Sequence, residues 1–344
     1  MFADPSIRFL ESGLYVNSET LVDKARVSFS LAEEVHMQIL VSLFMLIIGF
    51  VLLVKGADWF VDGASSIASR FGIPQLVIGL TIVAMGTSFP EAAVSITAAL
   101  KGSAGITVGN IVGSNILNVA IILGIASIIV PIRVQKSTIQ KELPFTMLIT
   151  ILLIVLGLNG TVSRFDGILL WIAFLAYLYY VFQMSKNKKS DEEAPHLSLP
   201  KSLIFVAIGL ACIIFGSDLA VDGATNLARI FGMSERFIGL TIVALGTSLP
   251  ELVTSVSAAR KGNADIAIGN IVGSNIFNIL FVVGTSALII PVPFETHFVI
   301  DGLVAFFVVF VLWFCVRKKQ ILERKHGFVL LAIYVLYFIY LCFS

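Results

Sequence analysis

Charged residues are scarce in this chain. Only 13% of its 344 residues are Asp, Glu, Lys or Arg, and 58% are hydrophobic. An ordinary soluble domain carries about 25% charged residues. A chain this apolar cannot hide its surface in one aqueous core, so lipid has to act as part of its solvent. The net charge of +1 argues against a nucleic-acid partner and against an enzyme for acidic substrates.

Cysteine and histidine are also rare. The three cysteines, Cys212, Cys315 and Cys342, are isolated in apolar runs, and no CxxC pair is present. This excludes a disulfide framework, and the scattered histidines do not favour a transition-metal site. No nucleophile–base pair, phosphate loop or cofactor motif is visible. We therefore expect no enzyme activity, no cofactor and no obligate protein partner.

Long apolar runs are abundant instead. Each run of about 20 residues is long enough to cross the hydrocarbon core as a helix. The sequence predicts an all-α integral membrane protein with ten transmembrane helices. The predicted spans are 38–69, 73–101, 105–130, 142–158, 166–184, 201–229, 233–261, 265–290, 297–316 and 326–342.

The polar segments divide the chain. Residues 1–36 are mixed in charge and lack the basic-then-apolar order of a signal peptide, so we expect a solvent-exposed tail. The polar stretch at 185–200 is typical of a linker between two halves. These boundaries give a first transmembrane repeat at 37–184, a cytoplasmic linker and a second transmembrane repeat at 201–344.

The basic residues predict the orientation in the membrane, because cytoplasmic loops are enriched in Lys and Arg. With the amino terminus outside, the inner side carries about fifteen basic residues: Arg70, Arg133, Lys136, Lys141, Lys186, Lys188, Lys189, Lys201, Arg260, Lys261, Arg317, Lys318, Lys319, Arg324 and Lys325. The outer loops carry Lys101, Arg164, Arg229 and Arg236. Both termini are therefore predicted to lie outside the cell membrane, plasma or inner.

The two halves repeat each other at a constant offset of 160 positions. GTSFPE at 86–91 returns as GTSLPE at 246–251, and GNIVGSNILN at 109–118 returns as GNIVGSNIFN at 269–278. Roughly half of positions 56–131 are identical to their partners. Because five predicted spans separate equivalent points, the second five-helix repeat is inverted relative to the first. Transporters built in this way bind substrate near the midplane at the repeat interface.

The GTSxPE motif places a carboxylate inside an apolar span. Glu91 and Glu251 would each cost about 2.5–3.5 kcal/mol at the centre of a membrane helix, unless protonated or bound to a cation. The prolines Pro90 and Pro250 interrupt the helix. We expect the break to free carbonyls near Ala84, Thr87, Ala244 and Thr247. Oxygen ligands of this kind suit Ca²⁺ and Na⁺.

The GNIVGSN motif provides a second polar surface. Ser114 and Asn118 are four residues apart and share one helical face, as do Ser274 and Asn278. The glycines of the motif form GxxxG, which is typical of close helix packing. We expect the glycines to bring this helix against the GTSxPE helix, with Ser and Asn completing the ion shell.

The paired motifs resemble the alpha repeats of the calcium/cation antiporter superfamily, in particular those of prokaryotic sodium/calcium exchangers. The resemblance runs from about residue 37 to the end of the chain. It implies ten helices in two inverted halves, with the amino terminus outside. It also implies a secondary antiporter that transports Ca²⁺ against Na⁺, with the lipid bilayer and these ions as its partners.

The resemblance also implies a ligand set. The central calcium site would use Glu91 and Glu251 with the carbonyls of Thr87 and Thr247. Flanking sodium sites would use Ala84, Ser88 and Ser114 on one side and Ala244, Ser248 and Ser274 on the other, with Asn118 and Asn278 near the centre. The chain departs from some members, which carry Asp at the position of Asn278.

Two other functions remain open on the sequence. Asparagine at both 118 and 278 also fits a proton/calcium antiporter that uses the same glutamates as proton carriers. A membrane scaffold or receptor without transport is the second alternative. Identity between the halves is concentrated in polar motifs within spans, where a scaffold needs them least.

Overall fold

The computed structural model describes residues 18–102, 104–187, 197–233 and 244–343. Within these ranges the chain is helical apart from four two-residue strands. The helices are α1 Ser18–Arg70, α2 Gln75–Thr87, α3 Phe89–Leu100, α4 Gly105–Ile129, α5 Thr138–Gly157, α6 Arg164–Asn187, α7 Leu199–Ile230, α8 Ala244–Thr247, α9 Leu249–Arg260, α10 Ala264–Ile289, α11 His297–Val316 and α12 Arg324–Phe343. The strands are β1 Ile132–Arg133, β2 Thr161–Val162, β3 Val292–Pro293 and β4 Ile321–Leu322.

The membrane spans agree with the apolar runs. Over the described ranges, 8 helices are long and apolar enough to cross a bilayer, and the bent pair α2 and α3 makes up to 9. Their ends lie within four residues of the predicted ones, except that α1 begins at Ser18, inside the predicted tail at 1–36. Most of the first half of the predicted span at 233–261 lies outside the described residues. The prediction of an all-helical fold with apolar helices of membrane-spanning length is thus confirmed.

Two helices form the core of the bundle. The apolar segments of α4 and α10, which carry the GNIVGSN motifs, are 78% and 94% buried, against 17% for α1 and for α12. Close packing is possible because α10 presents small residues to α2. A Cβ on Gly273 would lie 2.7 Å from the Leu80 carbonyl oxygen, and one on Gly269 would lie 3.1 Å from the Gly79 backbone. The predicted close contact of a GNIVGSN helix with a GTSxPE helix is thus present for α10 and α2, and it joins the two halves.

Helices α1 and α7 pack against each other along a seam of glycines. A Cβ on Gly49 of α1 would lie 2.7 Å from the Gly216 carbonyl oxygen of α7. A Cβ on Gly56 would lie 2.8 Å from the Gly209 carbonyl oxygen. Within each helix the seam glycines are seven residues apart, so they lie on one face of that helix. This spacing lets two helix backbones come into direct contact.

Contacts between the two halves are reciprocal. Strand β1 pairs with β4, and β3, which is β1 shifted by 160 positions, pairs with β2. The glycine seam shows the same exchange. Gly49 contacts Gly216, and their partners at the offset of 160, Gly209 and Gly56, contact each other. A contact in one half therefore recurs with the halves exchanged, as expected for two copies of one unit related by an approximate two-fold axis.

Candidate cation-binding site

Each GTSxPE motif forms a helix break. Helix α2 ends at Thr87 and α3 starts at Phe89, with an angle of 51° between them. Ser88 at the junction has φ −83° and ψ 10°, outside the helical region. Pro90 lies in the first turn of α3, followed by Glu91. A carboxylate in the first turn of a helix faces unpaired N–H groups, which favours negative charge there.

The second break has the same local form. Ser248, between α8 and α9, has φ −92° and ψ 4°. Pro250 and Glu251 occupy the first turn of α9. Proline has no N–H to donate to the carbonyl four residues before it. The freed Gly246 carbonyl accepts a hydrogen bond from the Ser217 hydroxyl of α7 at 2.8 Å.

One expected free carbonyl is already occupied. The Ala84 carbonyl accepts hydrogen bonds from the Ser88 N–H at 3.0 Å and from the hydroxyls of Thr87 and Ser274, each at 3.3 Å. The expectation that the break leaves this oxygen without a donor is therefore wrong. The break is only one residue long, so the i+4 bond to Ala84 survives it.

The two glutamates are buried almost completely. Glu91 is 1% exposed and Glu251 is 0% exposed. Among the described residues, neither oxygen of Glu91 accepts a hydrogen bond, and Glu251 has one oxygen without a donor. No Lys or Arg in the described ranges forms an ion pair with either carboxylate. Isolated ionised carboxylates in such surroundings carry a large desolvation cost.

Two other buried carboxyl groups have tyrosine donors. Asp301 of α11 accepts a hydrogen bond from the Tyr337 hydroxyl at 3.0 Å. Glu142 of α5 accepts one from the Tyr180 hydroxyl. Glu91 lacks such a donor among the described residues. A buried carboxylate without a donor is left for a cation or a proton to satisfy.

The polar groups of the two breaks interact across the halves. The Ser88 hydroxyl donates to Glu251 Oε1 at 2.7 Å, and the Ser274 hydroxyl donates to the Ala84 carbonyl. The expected grouping, with Ser274 beside Ala244, is therefore wrong: Ser274 lies against the break of the other half. The packing of the two halves brings Ser274 to the break helix of the first half, and no local pattern reveals this.

The remaining predicted residues lie in the same region. Thr87, Ser114, Ser248, Asn118 and Asn278 are all buried. Thr247 is partly buried at the end of α8. Ala244 begins that helix, and its side chain is not among the described ones. The structure thus gathers Glu91, Glu251 and the hydroxyl and amide groups of both motifs into the centre of the bundle.

Sequence reasoning missed a set of supporting amides. Asn270 donates to the Ser255 hydroxyl at 2.9 Å, and its Oδ1 accepts a bond from the Thr87 hydroxyl at 3.0 Å. Asn110 makes the equivalent bond to Ser95 at 2.9 Å. These amides tie each GNIVGSN helix to a break helix. Their recurrence in both halves was the signal that could have identified them.

Wide helical turns follow the motif asparagines. A π-helical segment runs from Asn118 to Leu123 in α4, and another from Asn278 to Val283 in α10. The amide oxygens of both asparagines are buried and accept no bond from a described group. Such segments are frequent at functional sites. Four kinds of oxygen (carboxylate, hydroxyl, amide and carbonyl) therefore converge here, the donor set that hard cations prefer.

Buried acidic and hydroxyl oxygens at paired helix breaks, inside a multi-span helical bundle, define a membrane transporter of ions. Comparison with known proteins identifies the family. The model of the sodium/calcium exchanger protein family matches residues 41–183 and again 201–343. The chain belongs to the sodium/calcium exchanger family. Because this family and its solved members are ion exchangers, the chain is a membrane cation antiporter and not an enzyme.

Relatives and a solved structure cover most of the chain. It is 31% identical to the sodium/calcium exchanger MaX1 of Methanosarcina acetivorans, over 88% of this chain and 99% of that protein. It is 40% identical to the inner membrane protein YrbG of Escherichia coli, over 72% of this chain and 79% of that protein. The solved sodium-calcium exchanger NCX_Mj superposes with a TM-score of 0.78 at 35% identity, covering 88% of this chain and 99% of the other.

Proposed function

We propose that this chain is a secondary active antiporter that exchanges calcium for sodium by alternating access across the cell membrane. The observation that carries the proposal is the burial of Glu91 and Glu251 at two helix breaks, where both oxygens of Glu91 and Oε2 of Glu251 accept no hydrogen bond from described residues. A bound cation removes the cost of burying these charges. Membership of the exchanger family supports calcium and sodium as the ions.

The proposed ligands come from both halves. Glu91 and Glu251, with the carbonyls of Thr87 and Thr247, hold calcium. The sodium positions are assigned across the halves, because Ser88 contacts Glu251 and Ser274 contacts Ala84. One sodium position therefore uses Ser274 with Ala84 and Ser88, and the other uses Ser114 with Ala244 and Ser248. The amide oxygens of Asn118 and Asn278 complete the shell.

Charge balance explains obligatory exchange. Two ionised glutamates give the site a charge of about −2, which one Ca²⁺ or two Na⁺ would neutralise. A third Na⁺ would leave a charge of about +1 and make exchange electrogenic. The loaded site can be occluded, whereas the empty site carries charge too costly to move through a dehydrated state. The two ions therefore compete for one set of oxygens.

The reciprocal contacts support an inverted-repeat architecture. We assign ten transmembrane helices in two five-helix halves, at 37–184 and 201–344, joined by a cytoplasmic linker at 185–200. Both termini lie outside. When the two halves exchange their conformations, an outward-facing arrangement becomes an inward-facing one. Helices α1 and α7, which are peripheral and joined by the glycine seam, are the elements that slide against the core.

Ion fluxes in proteoliposomes test the counter-ion. Vesicles loaded with sodium should accumulate radioactive calcium only while sodium runs outward, and dissipating the sodium gradient should stop uptake. Equal uptake driven by a pH gradient in sodium-free buffer would overturn the sodium assignment. It would establish the alternative, a proton/calcium antiporter, which the same observation favours because carboxylates without hydrogen-bond donors also take up protons.

A further inference from the structure

Four asparagines on α4 and α10 form a closed set of hydrogen bonds: Asn115, Asn118, Asn275 and Asn278. The side-chain nitrogen of Asn115 donates to the backbone oxygen of Asn275 at 3.2 Å, and that of Asn275 donates to the backbone oxygen of Asn115 at 3.1 Å. The nitrogens of Asn118 and Asn278 donate to Oδ1 of Asn275 and of Asn115, at 3.1 and 3.2 Å. All four residues are at most 4% exposed.

This arrangement fixes which way each amide points. A backbone carbonyl can only accept, so the nitrogen of Asn115 has to face Asn275, and its Oδ1 has to face away. That Oδ1 can only accept, so the nitrogen of Asn278 has to turn toward it. The oxygen of Asn278 is then directed away from Asn115. The same chain of reasoning, starting from Asn275, orients Asn118.

The two oriented oxygens have no hydrogen-bond donor among the described residues. Oδ1 of Asn118 and Oδ1 of Asn278 are buried and accept no hydrogen bond from any residue in the described ranges. Each lies one helical turn after a motif serine, and Ser274 contacts the break at Ala84. Leaving a buried acceptor unsatisfied costs about 1–3 kcal/mol. A cation between the breaks would recover that cost.

We propose that Asn115 and Asn275 are positioning residues for cation binding. Each holds the site-lining asparagine of the opposite half, Asn278 or Asn118, with its side-chain oxygen toward the ion. This inference rests on the proposed cation site and adds two residues to it. It also couples the halves, because the ligand of one half is oriented by an amide of the other.

A bracing role alone has different consequences. If the ring only holds α4 to α10, replacing Asn115 lowers the stability of the ion-free protein and leaves its calcium affinity unchanged. If Asn115 orients Asn278, the replacement frees that amide to rotate, and calcium affinity falls. Calcium affinity, measured beside unfolding of the ion-free chain, therefore distinguishes the two roles.

A double-mutant cycle on the purified full-length chain tests the proposal, with radioactive calcium binding as the readout. Asn115→Leu should raise the calcium dissociation constant about threefold to tenfold, the effect of one neutral hydrogen bond. Because Asn115 acts through Asn278, the double variant Asn115→Leu/Asn278→Ala should bind calcium no more weakly than Asn278→Ala. The matched control is Asn115→Leu/Asn118→Ala, whose effects should multiply, since Asn118 is held by Asn275.

Each outcome is decisive. Unchanged calcium affinity in Asn115→Leu, or multiplying effects in the cycle with Asn278, would overturn the inference while leaving the proposed function intact. Failure of the wild-type chain to bind calcium would overturn both. If Asn115→Leu does not fold, Asn115→Ala or the mirror cycle of Asn275 with Asn118 provides the same comparison.

Discussion

At the scale of single residues, the site depends on hydroxyl groups that cross from one half to the other. One example is the 2.7 Å bond from Ser88 to Glu251, whose donor and acceptor are 163 positions apart and both buried. A hydrogen bond to a carboxylate contributes about 1.5–3 kcal/mol. Ser88 therefore helps to hold the Glu251 carboxylate in a fixed orientation.

Ser88→Ala tests this contact. Loss of the hydroxyl removes a donor to Glu251, a proposed calcium ligand, so the calcium concentration for half-maximal flux should rise by about tenfold or more. Ser127→Ala is the matched control, because Ser127 is equally buried but bonds only to the Gly124 carbonyl. An equal change in both variants would show that the effect of Ser88→Ala is not specific to the site.

The sequence was enough to propose the site residues, but it did not predict how they are grouped. Glu91 and Glu251 stand out because each follows a proline inside an apolar run. A carboxylate at membrane depth costs free energy, so its presence there indicates a functional role. Which serine meets which break depends on how the halves face each other. The contact between Ser274 and Ala84 therefore had to come from the three-dimensional structure.

At the scale of helices, the glycine seam between α1 and α7 determines how closely these two elements approach. A Cβ on Gly216 would lie 2.8 Å from the Gly49 carbonyl oxygen and 2.9 Å from the Leu53 nitrogen. These atoms belong to backbone, so they cannot turn aside as a side-chain tip would. The seam is therefore intolerant of larger residues at these positions.

Gly216→Leu should separate the two helices. We expect a lower unfolding temperature in detergent, equivalent to about 1–3 kcal/mol of overpacking, together with slower calcium flux. The neighbouring variant Phe215→Leu is the control, since Phe215 is 65% exposed on the surface that faces lipid. Equal behaviour of the two variants would contradict close packing at Gly216.

One end of α1 is also held by an ion pair that has no equivalent among the described residues of the other half. Lys261 contacts Asp62 at 2.7 Å and the Asp58 carbonyl oxygen at 2.7 Å, and Ser257 donates to the Asp58 carboxylate. The repeat-related lysine, Lys101, is exposed and forms no ion pair with a described residue. Among the described residues, Lys261 therefore ties α1 to α9, whereas Lys101 makes no such ion pair with α7.

Lys261→Met should loosen this end of α1. An exposed ion pair contributes about 0.2–1 kcal/mol, so the population with α1 displaced should rise about twofold to fivefold at most. The readout is labelling of a cysteine at Val253, in the 470 Å³ cavity beside Asp58, in a background without native cysteines. Lys101→Met serves as control, and faster labelling in that variant alone would contradict the assignment.

The helical elements themselves were largely predictable. Apolar runs of bilayer length define spans such as 297–316 to the residue, because composition alone separates lipid-facing helix from polar loop. The glycine seam and the π-helical turns after Asn118 and Asn278 were not predicted. Both depend on what the neighbouring helix presents, which local periodicity does not record.

At the scale of the whole molecule, two copies of one helical unit enclose a single acidic centre. The strand pairs β1–β4 and β2–β3 and the glycine seam between α1 and α7 repeat with the halves exchanged. In the proposed mechanism, Glu91 and Glu251 therefore serve one site and not two. Removing either carboxylate should therefore disable calcium binding altogether.

Equilibrium binding of radioactive calcium to the purified chain tests this claim most directly. The wild-type chain should bind one Ca²⁺ that sodium displaces, and Glu91→Gln and Glu251→Gln should each abolish binding. Glu142→Gln, which changes a buried carboxyl held by Tyr180, should bind calcium as the wild type does. Undiminished calcium binding by either Glu91→Gln or Glu251→Gln would contradict a single site built from both glutamates.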